Sequence, residues 1–390
     1  MSQHSQINSN NIDSLPNLKI SNLSINNFRN YKDIKLSINN SPVIIFGENG
    51  SGKTNLLEAI SFLAPGRGIR SINYNDVTHD DNDLGWSVNA NICDIKKNLK
   101  FVIGTGVPPK TKKNKSGRIL KVDKEFKPIT YLSELLSILW ITPQMDGIFL
   151  GETSKRRRFF DRLIFNNVSS HIKELNIYEK ALRERAKILK DRINNEKWLD
   201  LVEQTLVQSG VKISKNRVDC ISFLNQKLSS VSDPFPVSKI FLEGTVESWL
   251  QSMTPSEAEI KFLEEVKKCR SIDSITGRSK LGPHRSDFKV LHIKKNMFAE
   301  KCSTGEQKAL LISLIIGQSK LLIDKDGNPP ILLLDDIIAH LDHFHLECLF
   351  SEFFDINSQL WITATDPEIL KSMIGNFHLI KVADSELHIV

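Results

Sequence analysis

The stretch SPVIIFGENGSGKTNLLEAISFL, residues 41–63, decides the fold. Val43 to Phe46 is a short β-branched and aromatic run of the kind that forms a strand. A glycine-rich turn follows, and then a helical pattern. Between them Gly47, Glu48, Asn49, Gly50, Ser51, Gly52, Lys53 and Thr54 fit G-x-x-x-x-G-K-[ST] at every fixed position. The glycines let backbone amides turn inward around phosphate oxygens, and the helix N-terminus adds its positive end. Lys53 is expected to reach the β/γ-phosphates and the Thr54 hydroxyl to ligate Mg²⁺. The implied ligand is ATP or GTP.

A second run, ILLLDDIIAHLD at 331–342, is apolar until it ends in two adjacent acids. Apolar strands ending in aspartate are common, so the pattern alone says little. Beside a phosphate loop Ile331 to Asp336 becomes a candidate Walker B strand, the acidic strand of a P-loop nucleoside triphosphatase. Asp335 is then expected to hold Mg²⁺ through water, and Asp336 to orient the attacking water. Lys53 and Asp336 are the candidate catalytic pair.

The class follows from the stretch just upstream, KCSTGEQKALLISLIIGQSKLL. Ser303 and Gly305 open a strongly apolar helix, and a Ser-x-Gly cap with free amides is a second anion site. Its position before the acidic strand matches the signature motif of ATP-binding-cassette (ABC) enzymes, where one subunit covers the γ-phosphate held by another. Gln144, in TPQMD, falls where ABC enzymes have a loop that senses Mg²⁺ and the γ-phosphate. Asp342 falls at the loop that joins protomers.

Along the chain, LKISNLSINNFRNYKDIKLSI from Leu18 alternates apolar and polar residues as half-buried strands do. Residues 84–130 read as meandering strands around a lysine-rich loop, PPKTKKNKSG. Near Thr153 the period turns helical, with a further helix near 170–193 and a third over 198–228, interrupted at Gly210. After Lys301 helix and strand alternate, as in a parallel sheet. The expected fold class is α/β, a P-loop ABC-type ATPase head with mixed β-sheet and an inserted α-helical lobe. Residues 1–17 read as a disordered tail, 18–152 and 277–390 as the ATPase domain (lobe I), and 153–276 as the helical insert (lobe II).

Composition narrows the classes. At 40% hydrophobic and 25% charged residues the chain is of ordinary globular type. Five scattered cysteines with no CxxC pair argue against a thiolate zinc site or a disulfide framework and fit a reducing compartment. No apolar run approaches the roughly 18 residues of a membrane span. The start carries neither a basic n-region nor an apolar h-region, so it does not read as a secretory signal. The expected address is cytoplasmic, with no membrane partner. His340, His343 and His345 lack the matching carboxylates of a metal site.

The net charge of +6 is unevenly spread. Residues 96–127 hold eleven Lys/Arg against two acids, 152–200 thirteen against eight, and 267–301 ten against three. Such clusters suit a phosphate-backbone track with salt-sensitive, sequence-independent binding. Lys155, Arg156, Arg157, Arg158 and Arg162 lie on one helix whose apolar stripe points elsewhere, so several are expected to face outward toward DNA. Arg157 or Arg158 could instead pair with acids. Arg29 and Arg70 are further candidate contacts to nucleotide or DNA.

These pieces, in this order, closely resemble the RecF family, relatives of the SMC-type ABC ATPases. The resemblance rests on INNFRNY (25–31), GENGSGKTNLLEAI (47–60), PGRGIRS (65–71), LWITPQMDGIFLGETSKRRRFFD (139–161), GPHRSDF (282–288), STGEQKALLISL (303–314), LLLDDIIAHLD (332–342) and WITATD (361–366). It covers nearly the whole chain after residue 17. It implies an ATP- and Mg²⁺-dependent DNA-binding protein that forms a homodimer around two ATPs at gapped or stalled-fork DNA, where single and double strands meet. With RecO and RecR it would promote RecA loading in recombinational repair, replication restart and SOS induction. The family more usually carries Glu at the positions of Gln144 and His340. Hydrolysis is expected to be slow and DNA-stimulated, because Asp336 is one methylene shorter than Glu and threonines replace the switch histidine in WITATD. Those departures, and the basic insert, argue against a transporter subunit. The insert is too short for an SMC coiled coil, and no extra acidic domain is present for a nuclease.

Overall fold

The computed structural model describes residues 16–38, 42–79, 84–109, 117–191, 195–337, 341–373 and 377–390. Most of the expected tail, much of the lysine-rich loop, Ile193 and His340 therefore lie outside the described residues.

In chain order the first elements are β1 (Leu18–Phe28), β2 (Tyr31–Ser37), β3 (Val43–Phe46), α1 (Lys53–Ser61), β4 (Trp86–Asp94) and β5 (Leu99–Val107). They continue with β6 (Ile119–Val122), β7 (Glu125–Lys127), α2 (Leu132–Leu135) and β8 (Ile138–Ile141). Helices then dominate: α3 (Thr153–Asn167), α4 (Ser170–Lys190) and α5 (Glu196–Leu228), followed by β9 (Ser238–Glu243), α6 (Thr245–Trp249), α7 (Pro255–Lys268) and α8 (Arg270–Thr276). After β10 (Asp287–His292) and β11 (Met297–Phe298) come α9 (Thr304–Asp326), β12 (Ile331–Leu334), α10 (His343–Asp355), β13 (Leu360–Ala364), α11 (Glu368–Met373), β14 (His378–Ala383) and β15 (Glu386–Ile389).

The chain divides into two compact units, Met1–Met145 with Ser319–Val390, and Asp146–Gln318. The second unit thus runs on past the expected return at 276/277. The reason is β10, which pairs antiparallel with β9 from Asp287 opposite Glu243 to His292 opposite Ser238. That pairing keeps the segment after Thr276 with the helices.

In the first unit, alternation builds an antiparallel sheet in the order β2-β1-β4-β5-β6-β7. Its inward residues, among them Ile20, Ile25, Val88, Ile92 and Ile103, are fully buried. The other sheet has the order β15-β14-β3-β13-β12-β8. From β14 to β8 its neighbours run parallel, and β15 returns antiparallel. Parallel strands are covered on both faces, which accounts for the unbroken apolar run Ile331–Leu334 and its complete burial. The buried Gln359 amide pairs with both backbone groups of Ile20, at 2.9 and 3.0 Å, and so ties β13 to β1.

In the second unit α4 packs along α5 around Tyr178, Ala181, Ile188, Leu206 and Val211, with Phe262 of α7. The helix expected to be interrupted at Gly210 is continuous from Glu196 to Leu228. A Cβ at Gly210 would press on the Phe262 and Tyr178 rings at 2.8 and 3.1 Å, so the glycine serves close packing and not a break.

Candidate functional site

Three strands of the parallel sheet end at one place. β13 lies between β3 and β12, with Thr363 opposite Ile45 and Ile362 opposite Leu334. The phosphate loop leaving β3 and the acids leaving β12 therefore share the carboxyl edge of the sheet, where ligands of open α/β folds bind.

The loop is held by its neighbours. Tyr31 Oη donates to Gly52 O at 2.9 Å, and Asn30 Nδ2 donates to Ser51 O at 3.1 Å. Gly52 sits at φ 116° and a Cβ there would strike the Asn30 amide, so this turn requires glycine. Lys53 Nζ donates to the loop carbonyls of Gly47 and Glu48 at 2.7 and 2.8 Å. Burial lowers its pKa, while the carboxylates of Asp336 and Asp335 work in the opposite direction. Glu48, Asn49 and Gly50 are exposed at the loop's tip.

Thr54 Oγ1 donates toward both Asp335 oxygens, at 2.9 and 3.1 Å. From the strand between them, Thr363 Oγ1 donates to Asp335 Oδ1 at 2.9 Å and accepts the Asp336 amide at 2.8 Å. Burial pushes the Asp335 carboxyl up, the Thr363 and Thr54 hydroxyls pull it down, and the like charge of Asp336 raises it again; the net direction is up. Asp336 itself stands at φ 51°, a left-handed position that aspartate tolerates better than most residues. The Ser51 hydroxyl is buried and, among the described residues, has no hydrogen-bond partner. An orphan hydroxyl, a threonine and two crowded acids are hard oxygen donors that fit a divalent cation carrying phosphate. Thr54 and Asp335 are the residues that would hold it.

Gln144 lies exposed in the short turn Pro143–Met145 after β8, on the same edge, since β8 pairs parallel with β12. Asp342 caps α10: its carboxylate accepts the His345 amide at 2.9 Å and meets His345 Nδ1 at 2.8 Å. These hydrogen bonds hold its carboxyl below the usual range. In the second unit Ser303 opens α9 in a reciprocal cap, with Ser303 N donating to Glu306 Oε2 at 2.8 Å and Glu306 N to Ser303 Oγ at 3.4 Å. Lys295 and this cap hold the Glu306 carboxyl at about 2. Gly305 is exposed and a Cβ there would meet nothing within 4 Å.

The five basic residues of α3 do not form one outward row. Arg156 and Arg157 precede buried Phe160 by one turn, so they point inward. Arg156 forms a two-pronged pair with Asp287 at 2.7 and 2.8 Å and also donates to Phe149 O at 3.2 Å. Arg157 donates to Ser286 O at 2.8 Å. Arg162 is half-buried with its guanidinium 5.4 Å from the Phe159 ring centre. Lys155 and Arg158 are exposed. Arg29 and Arg70 both pair with Glu58 on α1, whose carboxylate is fully buried. His284 takes a structural contact to Tyr178 Oη at 2.7 Å. Among the described residues no cluster of ligands for a further metal occurs.

Thr363, Asn30 and Tyr31 touch the candidate site, and sequence reasoning did not place them there. Thr363 had a signal: it is a hydroxyl in an otherwise apolar strand, and a buried hydroxyl needs partners.

The model of the RecF/RecN/SMC N terminal domain matches residues 19–388. The DNA replication and repair protein RecF of Rickettsia typhi is 36% identical over 370 residues, covering 94% of this chain and 100% of that protein. That of Brucella abortus is 37% identical over 373 residues, covering 95% and 96%. A solved structure of the recombination mediator protein RecF-ATP in the RecFOR pathway shares the fold, with a TM-score of 0.82 at 23% identity over 96% of this chain and 99% of that one. The Smc head domain of Pyrococcus furiosus shares it more distantly, with a TM-score of 0.53 at 15% identity over 96% of each. The fold is that of an ABC-type ATPase head, and no described helix is long and apolar enough to cross a membrane. A phosphate loop braced by Asn30 and Tyr31, an acidic strand end tied to it through Thr54 and Thr363, and relatives matched from end to end make this chain a member of the RecF family.

Proposed function

We propose that the chain is an ATP-dependent DNA-binding protein that closes as a homodimer on two ATPs at gapped or stalled-fork DNA and hydrolyses ATP slowly. The reading rests above all on one observation: Asp335 meets the Thr54 hydroxyl within 3.1 Å, so the acidic strand end and the phosphate loop form one site. The loop amides and Lys53 would bind the phosphates, and Thr54 and Asp335 would hold Mg²⁺. When bound, Mg²⁺ neutralises charge on the β- and γ-phosphate oxygens. Asp336 would orient water for in-line attack on the γ-phosphorus and accept its proton. The bridging bond to the β-phosphate then breaks, and ADP and phosphate leave.

Asp336 reaches less far than a glutamate, and Thr363 with Thr365 stand where a switch histidine is expected. Both support slow turnover, with ATP serving as the dimer's glue and hydrolysis as its release. Ser303 and Gly305 of one protomer would cover the γ-phosphate of the other, with Gln144 and Asp342 at the same junction. Lys155 and Arg158, together with Lys96, Lys97, Lys100, Lys121 and Lys124, are exposed cations available to DNA phosphates. RecO and RecR as partners, and RecA loading as the outcome in gap repair, replication restart and SOS induction, follow from the family. A reducing, cytoplasmic setting suits the five free cysteines.

Light scattering with and without ATP and a gapped duplex tests the reading. A mass that doubles with ATP and gains the duplex, and does neither in Lys53→Ala, is the expected result. Indifference of the wild type to ATP and duplex overturns it.

A further inference from the structure

Arg118, just before β6, is 8% exposed, and among the described residues no carboxylate pairs with it. Its Nε donates to Thr105 Oγ1 of β5 at 2.8 Å. Nη1 donates to Gly66 O at 2.9 Å, and the guanidinium also reaches Ala64 O at 3.3 Å and Phe62 O. The Phe62 ring centre lies 5.2 Å away. Burial pulls the guanidinium down to about 10, which leaves it charged at neutral pH.

A buried cation without a carboxylate is costly, and here its compensation comes from the carbonyl of Phe62, which caps the negative end of the α1 dipole, and from those of Ala64 and Gly66 just past the helix. That helix begins at Lys53 of the phosphate loop and spans roughly 13 Å at 1.5 Å per residue. Arg118 therefore grips the far end of the phosphate-loop helix. Its other hand holds β5. Thr105 is buried and, with its neighbours Gly104 and Gly106, lines a mainly apolar cavity of about 420 Å³ on the outer face of the antiparallel sheet, where the charged lining residues are Lys121 and Lys124. The planar fork fixes several acceptors at once, which a lysine's point charge does not.

We propose that Arg118 is a positioning residue that transmits contact of a polyanion with Lys121 and Lys124 on this outer face to the phosphate loop. A load on β5 and β6 moves Thr105 and Arg118 together, and α1 follows as a rod. The N-terminal half of α1 is separately tied through Asn55, which donates to Asn30 Oδ1 and accepts from Arg70, each at 2.8 Å, so intrinsic nucleotide binding does not depend on Arg118. The inference rests on the ATP- and DNA-binding function proposed above.

Linkage supplies the test, because two coupled ligands must change each other's affinity by the same factor. Dissociation constants are measured for a non-hydrolysable fluorescent ATP analogue with and without gapped duplex, and for the duplex with and without the analogue. In the wild type the two factors agree and exceed about fivefold. In Arg118→Lys both fall toward one, while the analogue's affinity without DNA stays within about twofold. Thr105→Val, which removes the Nε acceptor and with it the hydroxyl's donation to Ile119 O at 2.9 Å, lowers the factor part way and decides the matter if Arg118→Lys does not fold. A lower melting temperature with an unchanged factor makes Arg118 merely structural and overturns the inference alone. A wild-type factor of one overturns the proposed function and the inference with it.

Discussion

Thr363 Oγ1 donates to Asp335 Oδ1 at 2.9 Å while accepting the amide of Asp336 at 2.8 Å, so one hydroxyl sets both acids of the site. β13 is inserted between the strand of the phosphate loop and the strand of the acids, and Thr363 fills the gap it creates. Thr363→Val keeps the volume, orphans the Asp336 amide and removes one of the hydrogen bonds that stabilise the Asp335 carboxylate. We expect Mg²⁺-dependent nucleotide affinity to fall by about 10- to 100-fold, the usual loss for a residue that orients a metal's holder. Affinity measured in chelator should move far less. Titration of a fluorescent nucleotide at several Mg²⁺ concentrations reads both, and an unchanged Mg²⁺ dependence would separate Thr363 from cation binding.

Asp336→Asn is the cleanest test of hydrolysis, since asparagine accepts the φ of 51° at that position and changes only the carboxylate. Nucleotide binding is expected to persist. Turnover should drop by about 10²–10⁴-fold, the range for loss of a positioned general base, and the ATP-bound dimer should persist on size-exclusion chromatography after free ATP is removed. Turnover equal to the wild type would take Asp336 out of the chemistry.

The core of the site was legible in the sequence because its parts are local. A phosphate loop is eight consecutive residues between a strand and a helix, and Asp335 with Asp336 ends a short apolar run. Long-range contacts were not legible. Asn30 and Tyr31 brace the loop from about twenty residues away, and their identity as loop supports depends on how β1 turns into β2. Helical period likewise put five basic residues on α3 without showing that Asp287, 131 positions from Arg156, would turn that guanidinium inward. The division of the chain was misjudged for the same reason: pairing of β10 with β9 is invisible to local pattern. Gly210 read as a helix breaker by propensity, but close packing against Phe262 overrode it.

The basic residues of α3 now separate by role. Lys155→Ala and Arg158→Ala should each weaken binding to gapped duplex about equally for any sequence, and each should lower the slope of log affinity against log salt by about one. Arg156→Ala should act differently. It leaves Asp287, which burial and the lost partner both disfavour as a charge, and so it should lower the denaturation midpoint. Fluorescence anisotropy across a salt series, with a urea melt of each variant, distinguishes the two. Equal salt slopes in all three would reject the assignment.

Arg217 holds the middle of the second unit. Its Nε and Nη2 lie 2.9 Å from the two Asp161 oxygens, and Nη1 donates to Pro283 O at 2.7 Å and to Glu247 Oε1 at 3.2 Å. His171 Nε2 meets Asp161 Oδ1 at 3.1 Å. Burial alone would raise the Asp161 carboxyl, but Arg217 and His171 hold it at about 2, against 3.8 for a free aspartate. Because the folded value is depressed, the stability Asp161 contributes is complete above about pH 4 and is lost as pH falls toward 2. The difference amounts to roughly 2 kcal/mol at 1.36 kcal/mol per pH unit. Arg217→Met removes the cation and strands two buried acids, which should cost about 3–5 kcal/mol. It should also abolish the acid step between pH 4 and 2, because the remaining carboxylates no longer gain by ionising. Urea unfolding at pH 7, 4 and 3 measures both effects, and an acid step of wild-type size in Arg217→Met would show that its origin lies elsewhere in the chain.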